Sequence, residues 1–334
     1  MTRGVAVVTG GSAGLGRAIV RELADRGWDV AVLARGDDGL RGAEADVVER
    51  GRRGLGLSVD VADRDAVESA ASEIEDRLGP IELWVNNAMT GVFGEFLETD
   101  PADFERAVSV NFLGFVHGTR AALSRMTARD RGHVVQVGSA LAHRGIPLQA
   151  AYCASKAAVR GFTDSVITEL LHNKSGVRVS MVDMPALNTI QFNWVKNSLP
   201  DHPQPVPPIF QPEDAARVLV DVAEKPRRRT WVGGSTVQTI LGARLSGWIV
   251  DEVLARTGYS GQQAPDKDEP MLPTNLYEPV PGDRGSRGIF SDQTKTSVQM
   301  FAIRHRALTV AVASSALAAG AGAAVTGLRR ALRR

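Results

Sequence analysis

Tyr152 and Lys156 stand four residues apart in Tyr152-Cys153-Ala154-Ser155-Lys156. On a helix, that spacing puts both side chains on one face. A free phenol titrates near pH 10 and is a poor base at neutral pH. A lysine ammonium within about 4–6 Å favours phenolate and lowers that value. Such a pair can exchange a proton with a hydroxyl or a carbonyl oxygen. In isolation, Tyr-x-x-x-Lys is also what two residues sharing a surface look like, so context must decide. Ser139 follows the apolar run His133–Val137, where a parallel strand would end and a ligand would sit. Asn111 lies in Val110-Asn111-Phe112, and Asn86-Asn87-Ala88 follows another short apolar run. Pro185 and Thr189 come after a third.

A second candidate site opens the chain. Val5–Thr9 leads into Gly10-Gly11-Ser12-Ala13-Gly14-Leu15-Gly16. Glycines between a strand and a helix permit a tight turn and close backbone approach to a pyrophosphate, which the helix N-terminus attracts. The spacing is G-x-x-x-G-x-G, and no Gly-Lys-Ser/Thr follows, so it is not a P-loop. An ordinary strand–helix turn would read the same way in isolation.

The elements that must carry these residues alternate. Strands are expected at Val5–Thr9, Val30–Leu33, Leu55–Val59, Leu83–Val85, His133–Val137, Val177–Val182 and Thr230–Val232. Helices are expected at Leu15–Arg26, Ala43–Arg50, after Asp63, from Asp100-Pro101 toward Met126, at Ala150–Leu171 and at Pro212–Ala223. Short continuous apolar strands between helices imply a parallel sheet covered on both faces. The expected fold class is α/β, a Rossmann-type doubly wound parallel sheet with a C-terminal helical extension. Thr236–Arg256 reads as one amphipathic helix, with Val237, Ile240, Leu241, Leu245, Trp248 and Ile249 on one side. Gly261–Thr296, rich in Pro, Gly, Asp and Ser, reads as an irregular linker.

Taken together, the motifs resemble those of the short-chain dehydrogenases/reductases, single-domain type. The match runs through Thr9-Gly10-x-x-x-Gly14-x-Gly16, Asp60-Val61, Asn86-Asn87-Ala88, Asn111, Ser139, Tyr152-x-x-x-Lys156 and Pro185, over about residues 4–232. The resemblance implies an oxidoreductase that interconverts a carbonyl and an alcohol with NAD(P). It implies Tyr152 as general acid/base, with Lys156 lowering its pKa and binding the nicotinamide ribose. Ser139 would hold the substrate oxygen and Asn111 would support a relay water. Cofactor contacts are implied for Gly10, Ser12, Ala13, Gly14, Leu15, Gly16, Arg35, Asp60, Val61, Asn87, Tyr152, Lys156, Pro185 and Thr189. No metal is implied. Homodimers or homotetramers are, through the helices Asp103–Met126 and Ala150–Leu171. The sequence departs from the pattern twice: Met89 follows Asn86-Asn87-Ala88 where glycine is usual, and Ala186 follows Pro185 where glycine is usual. Residues 1–235 are then the NAD(P)-binding catalytic domain, 236–302 a helix plus irregular extension, and 303–334 a basic-flanked tail helix.

The second strand ends Val32-Leu33-Ala34-Arg35, with no acid to accept from ribose hydroxyls. Arg35 can pair with a phosphate, so NADP is expected over NAD; the alternative is a solvated loop charge. The loop Ala186–Gln211 carries Leu187, Ile190, Phe192, Trp194, Val195, Leu199, Ile209 and Phe210, and suits a hydrophobic substrate or packing against the body or a partner. Other functional readings are a catalytically silent dinucleotide-binding scaffold and a membrane-recruited sensor.

Composition bounds the rest. The 334 residues carry a net charge of +1, but residues 303–334 hold six arginines and no acid, which leaves −5 over 1–302. One cysteine, Cys153, excludes an intrachain disulfide framework. The N-terminus has no long apolar stretch, so no signal peptide is expected and the location reads as cytoplasmic. Ala307–Leu328 is an uncharged run with arginines on both sides, and at 1.5 Å per residue a helix there would reach about 33 Å. Only six of its residues are Leu or Val. Membrane association and a soluble Ala-rich helix both stay open. Nothing aromatic or base-reading accompanies the arginines, so no nucleic-acid partner is expected.

Overall fold

A computed structural model describes residues 2–305 and Thr309. Seven strands form one parallel sheet: β1 Val5–Thr9, β2 Asp29–Ala34, β3 Gly54–Ser58, β4 Ile81–Asn86, β5 His133–Ser139, β6 Arg178–Met184 and β7 Arg229–Trp231. Their spatial order is β7-β6-β5-β4-β1-β2-β3. The order reverses between β1 and β4, and a doubly wound sheet opens its ligand crevice there.

Alternation along the strands fills both faces. In β1, Ala6 and Val8 join Ile19, Leu23, Val32 and Leu219, beneath α1 (Gly14–Asp25), α2 (Asp37–Glu49) and α8 (Pro212–Glu224). Val5 and Val7 join Ile74, Trp84, Ala122 and Ile167 beneath α3 (Arg64–Leu78), α5 (Gly114–Met126) and α6 (Ala150–His172). Capping follows the sequence. Asp63 accepts from Asp65 N and Ala66 N to start α3. Asp100 accepts from Ala102 N, with Pro101 opening α4 (Pro101–Val108).

Three expectations need correction. The helix running to Met126 is interrupted by a π-helical turn, Ser109–Leu113, which carries Asn111. The single helix expected over Thr236–Arg256 is two, α9 (Gly234–Leu245) and α10 (Gly247–Thr257), broken at Ser246. Of the face expected to be buried, Ile240 is buried, whereas Leu245 is 82% and Trp248 76% exposed. Finally, Gly261–Thr296 is irregular but does not merely link. Gln263–Ala264 pairs antiparallel with His202–Pro203 of the loop Ala186–Gln211, which also carries α7 (Gln191–Trp194). Beyond it, residues 275–288 lie across the sheet's ligand end. The helix α11 (Val298–Arg304) then packs on α8 and α9, with Arg304 Nε on Asp221 at 3.0 Å. The run Ala307–Leu328 lies outside the described residues apart from Thr309. No helix among the described residues is long and apolar enough to cross a membrane.

Candidate active site

The C-terminal ends of β1, β2, β4, β5 and β6 open into one cavity of about 480 Å³, within the usual range for small-molecule and cofactor pockets. At its β1 end, Gly14 has φ +56°, a left-handed conformation that suits glycine. A Cβ on Gly16 would lie 2.0 Å from Gly10 O and 2.6 Å from Asn87 Nδ2, so a larger residue cannot sit there. Asn87 explains the contact: its amide donates to Thr9 O at 3.0 Å and Gly10 O at 3.2 Å. Thr9 Oγ1 in turn accepts from Asn87 N and Ala88 N. The turn is thus a fixed cradle above the α1 N-terminus, the arrangement that receives a pyrophosphate. This fits a dinucleotide.

At the other end, α6 presents Tyr152 and Lys156 as their spacing requires. Lys156 is 1% exposed, with Nζ donating to Val137 O at 2.9 Å and lying 4.5 Å from the Phe115 ring centroid. Burial pulls it down to about 7, against a weaker pull upward from Asp183. Its Nζ is 5.7 Å from the Tyr152 ring centroid. Burial pushes the Tyr152 phenol up to about 12, opposed by its hydrogen bond to Ser139. Ser139 Oγ also accepts from Leu141 N at 3.1 Å, which holds the hydroxyl toward the tyrosine. Desolvation dominates the phenol's shift, and the lysine is not among its causes.

Asn111 is fully buried and does not line the cavity. Its Oδ1 accepts from Thr90 N and its Nδ2 donates to Thr90 O, both at 2.8 Å. The π turn thus spends this side chain on fixing the loop after β4. Every other residue expected to bind cofactor lines the cavity: Gly10, Ser12, Ala13, Gly14, Leu15, Gly16, Arg35, Asp60, Val61, Asn87, Pro185 and Thr189. Met89 and Ala186, the two departures, line it too. Asp60 is held by Arg106, which keeps its carboxyl below the usual range against the opposing effect of burial.

Two features escape a sequence reading. Near Tyr152 and Lys156, Asp183 is fully buried and accepts from His143 Nε2 at 3.0 Å, while Arg160 donates to His143 Nδ1 at 3.1 Å. Arg160 can only donate, so Nδ1 accepts and the hydrogen shared with Asp183 lies on Nε2. The other feature is the segment 275–285. Arg35 donates to the carbonyls of Asn275, Leu276 and Tyr277. Gly282 N donates to Asp38 Oδ2 at 2.8 Å, Asp283 pairs with Arg17 at 2.9 Å, and Gly14 N donates to Gly285 O at 2.9 Å. Asn275, Pro279, Val280, Gly282 and Arg284 are cavity wall. Positive φ at Gly282 and Gly285 is the one local signal of this ordered path, and composition alone presents those glycines as linker.

Residues 4–197 match the family model for short chain dehydrogenases. The chain belongs to the short-chain dehydrogenase/reductase family. It is accordingly an oxidoreductase acting on CH–OH or C=O groups of a small molecule, with a nicotinamide dinucleotide. An uncharacterised oxidoreductase of Bacillus subtilis, YxnA, is 28% identical over 90% of this chain and 87% of its own. The 3-oxoacyl-[acyl-carrier-protein] reductase of Bos taurus is 33% identical over 66% of this chain and 92% of its own. Among solved structures, the alcohol dehydrogenase of the archaeon Thermococcus sibiricus, complexed with 5-hydroxy-NADP, superposes with a TM-score of 0.60. It is 26% identical over 69% of this chain and 94% of that one.

Proposed function

We propose that this chain is an NADP-linked reductase of apolar carbonyl compounds, with Tyr152 as the proton donor. The observation that carries the proposal is the single cavity joining the glycine turn to the hydrogen-bonded Ser139–Tyr152 pair. Bound there, the reduced nicotinamide supplies the hydride. The protein does the rest. Gly10 to Gly16 and Asn87 hold the pyrophosphate end. Ser139 and Tyr152 together bind the substrate oxygen, and the phenol passes its proton to that oxygen as charge develops on it. A phenol held near 12 stays protonated at neutral pH, the form a reduction needs. A protonated Lys156 then stabilises the phenolate left behind. At an effective dielectric of about 20, a charge roughly 6 Å away is worth about 3 kcal/mol, or about two pKa units.

NADP is favoured because β2 ends without an acid, at Ala34 and Arg35, and because the archaeal relative was solved with an NADP derivative. The apolar preference rests on the outer cavity wall, where Ile146, Leu187, Phe192, Trp194, Val206 and Leu254 meet. The bovine relative is named for a 3-oxoacyl group, and an acyl-chain ketone suits such a wall. A panel of 3-oxoacyl thioesters, long-chain aldehydes and sugars, followed by NADPH consumption, tests this. Acyl carbonyls are expected to show kcat/KM at least tenfold above sugars. Equal turnover of sugars would remove the apolar assignment.

A further inference from the structure

Arg35 is the cation at the end of β2 from which an NADP preference is read, yet its terminal nitrogens are already engaged by protein carbonyls. Both terminal nitrogens donate to carbonyls of residues 275–277, with Tyr277 O at 2.6 Å. A guanidinium recognises a phosphate through those same paired N–H groups. The segment that engages them brings another arginine. Pro279 sits over Gly36, where a Cβ would lie 3.3 Å from Pro279 Cβ. Gly282 is tied to Asp38 at the start of α2, and Gly285 to Gly14 in the glycine turn. Arg284 lies between those two ties and lines the cavity, with the carbonyl of Pro281, at 2.7 Å, as its hydrogen-bonded partner. The acids around it are engaged: Asp38 with Arg41, and Asp283 with Arg17. An exposed guanidinium is therefore offered where α2 and the glycine turn meet, at the adenosine end of the cavity.

We propose that Arg284 is the residue that selects the ribose 2′-phosphate, and that Arg35 is the pin holding the segment that delivers it. The proposal rests on the dinucleotide reading above and adds a specificity-determining residue from outside the segment matched by the family model. It divides two roles that one arginine would otherwise carry: recognition by Arg284, and placement by Arg35.

Calorimetric titration of the full chain with adenosine 2′,5′-bisphosphate and with 5′-AMP tests the assignment without turnover. The wild type is expected to prefer the bisphosphate. Arg284→Ala should weaken bisphosphate binding about tenfold or more and leave 5′-AMP binding unchanged. Arg35→Ala should weaken both ligands, the bisphosphate more than 5′-AMP, because loosening the segment moves cavity wall and displaces Arg284 with it. Circular dichroism on each variant shows that the fold is retained; Arg284, exposed and bonded to one neighbouring carbonyl, can be replaced without opening the core. An unchanged preference in Arg284→Ala, or a loss confined to the bisphosphate in Arg35→Ala, overturns the assignment. A wild type that binds the two ligands equally overturns the NADP preference, and one that binds neither overturns the dinucleotide reading itself.

Discussion

A phenol held near 12 beside a lysine held near 7 makes the acid/base pair depend on which group carries charge. Below about pH 7 Lys156 is an ammonium and can stabilise phenolate; above it, the lysine is neutral and the phenol must ionise without help. The kcat for carbonyl reduction is therefore expected to fall as pH rises through about 7. A rate that stays flat or climbs to pH 9 would contradict the pairing. The same shift bears on folding. Lys156 is lowered by burial, so between about 7 and its unfolded value near 10.5 the unfolded chain binds more protons and stability rises with pH. Thermal denaturation of the unliganded protein should show Tm climbing from pH 7 to 10, and Lys156→Met should flatten that climb. Equal slopes in the two proteins would mean the lysine is not desolvated.

Local elements were largely legible in the sequence and remote ones were not. The glycine turn, the caps at Asp63 and Asp100, and the i, i+4 register of Tyr152 and Lys156 are each written in a few adjacent residues. The π turn at Asn111 was hidden because Val110-Asn111-Phe112 fits an ordinary helix equally well. The break at Ser246 was hidden because apolar residues continue in helical register on both sides of it. Residues 275–285 hold the cavity chiefly through backbone carbonyls and amides, which every residue has, so no side-chain pattern announces them. Their placement predicts a cross-link. In a Cys153→Ser background, Gly36→Cys with Pro279→Cys should oxidise to a disulfide, since a Cβ at Gly36 falls 3.3 Å from that of Pro279, close to the usual disulfide span of roughly 3.5–4.5 Å. Mass spectrometry showing both thiols free after mild oxidation would mean that the segment does not rest on the start of α2.

Across the whole molecule, acid should act first at a buried histidine. His133, buried at the start of β5, contacts Ala223 O at 3.0 Å and Ser180 Oγ at 2.8 Å, and burial lowers it to about 4. Its neutral form stabilises the fold fully above its unfolded value near 6.5, and that contribution is lost as pH falls through about 4. The shift corresponds to about 3 kcal/mol. Urea midpoints should drop between pH 6.5 and 4, ahead of the paired carboxylates Asp29, Asp46 and Asp164, whose values lie below the usual range. His133→Gln should lose less than the wild type over that interval, and an identical drop would assign the acid response elsewhere. The −5 of residues 1–302 is now a catalytic body whose arginines are mostly tied up in such local pairs.

Tyr152 is proposed to donate the proton in an NADPH-linked carbonyl reduction. Steady-state NADPH consumption with a 3-oxoacyl thioester, measured side by side for the wild type and Tyr152→Phe, tests it most directly. A loss of about 10²–10⁴-fold in kcat is expected, with NADPH affinity unchanged. Tyr152→Phe turning over at the wild-type rate would contradict it, as would a wild type that binds NADPH tightly and reduces no carbonyl.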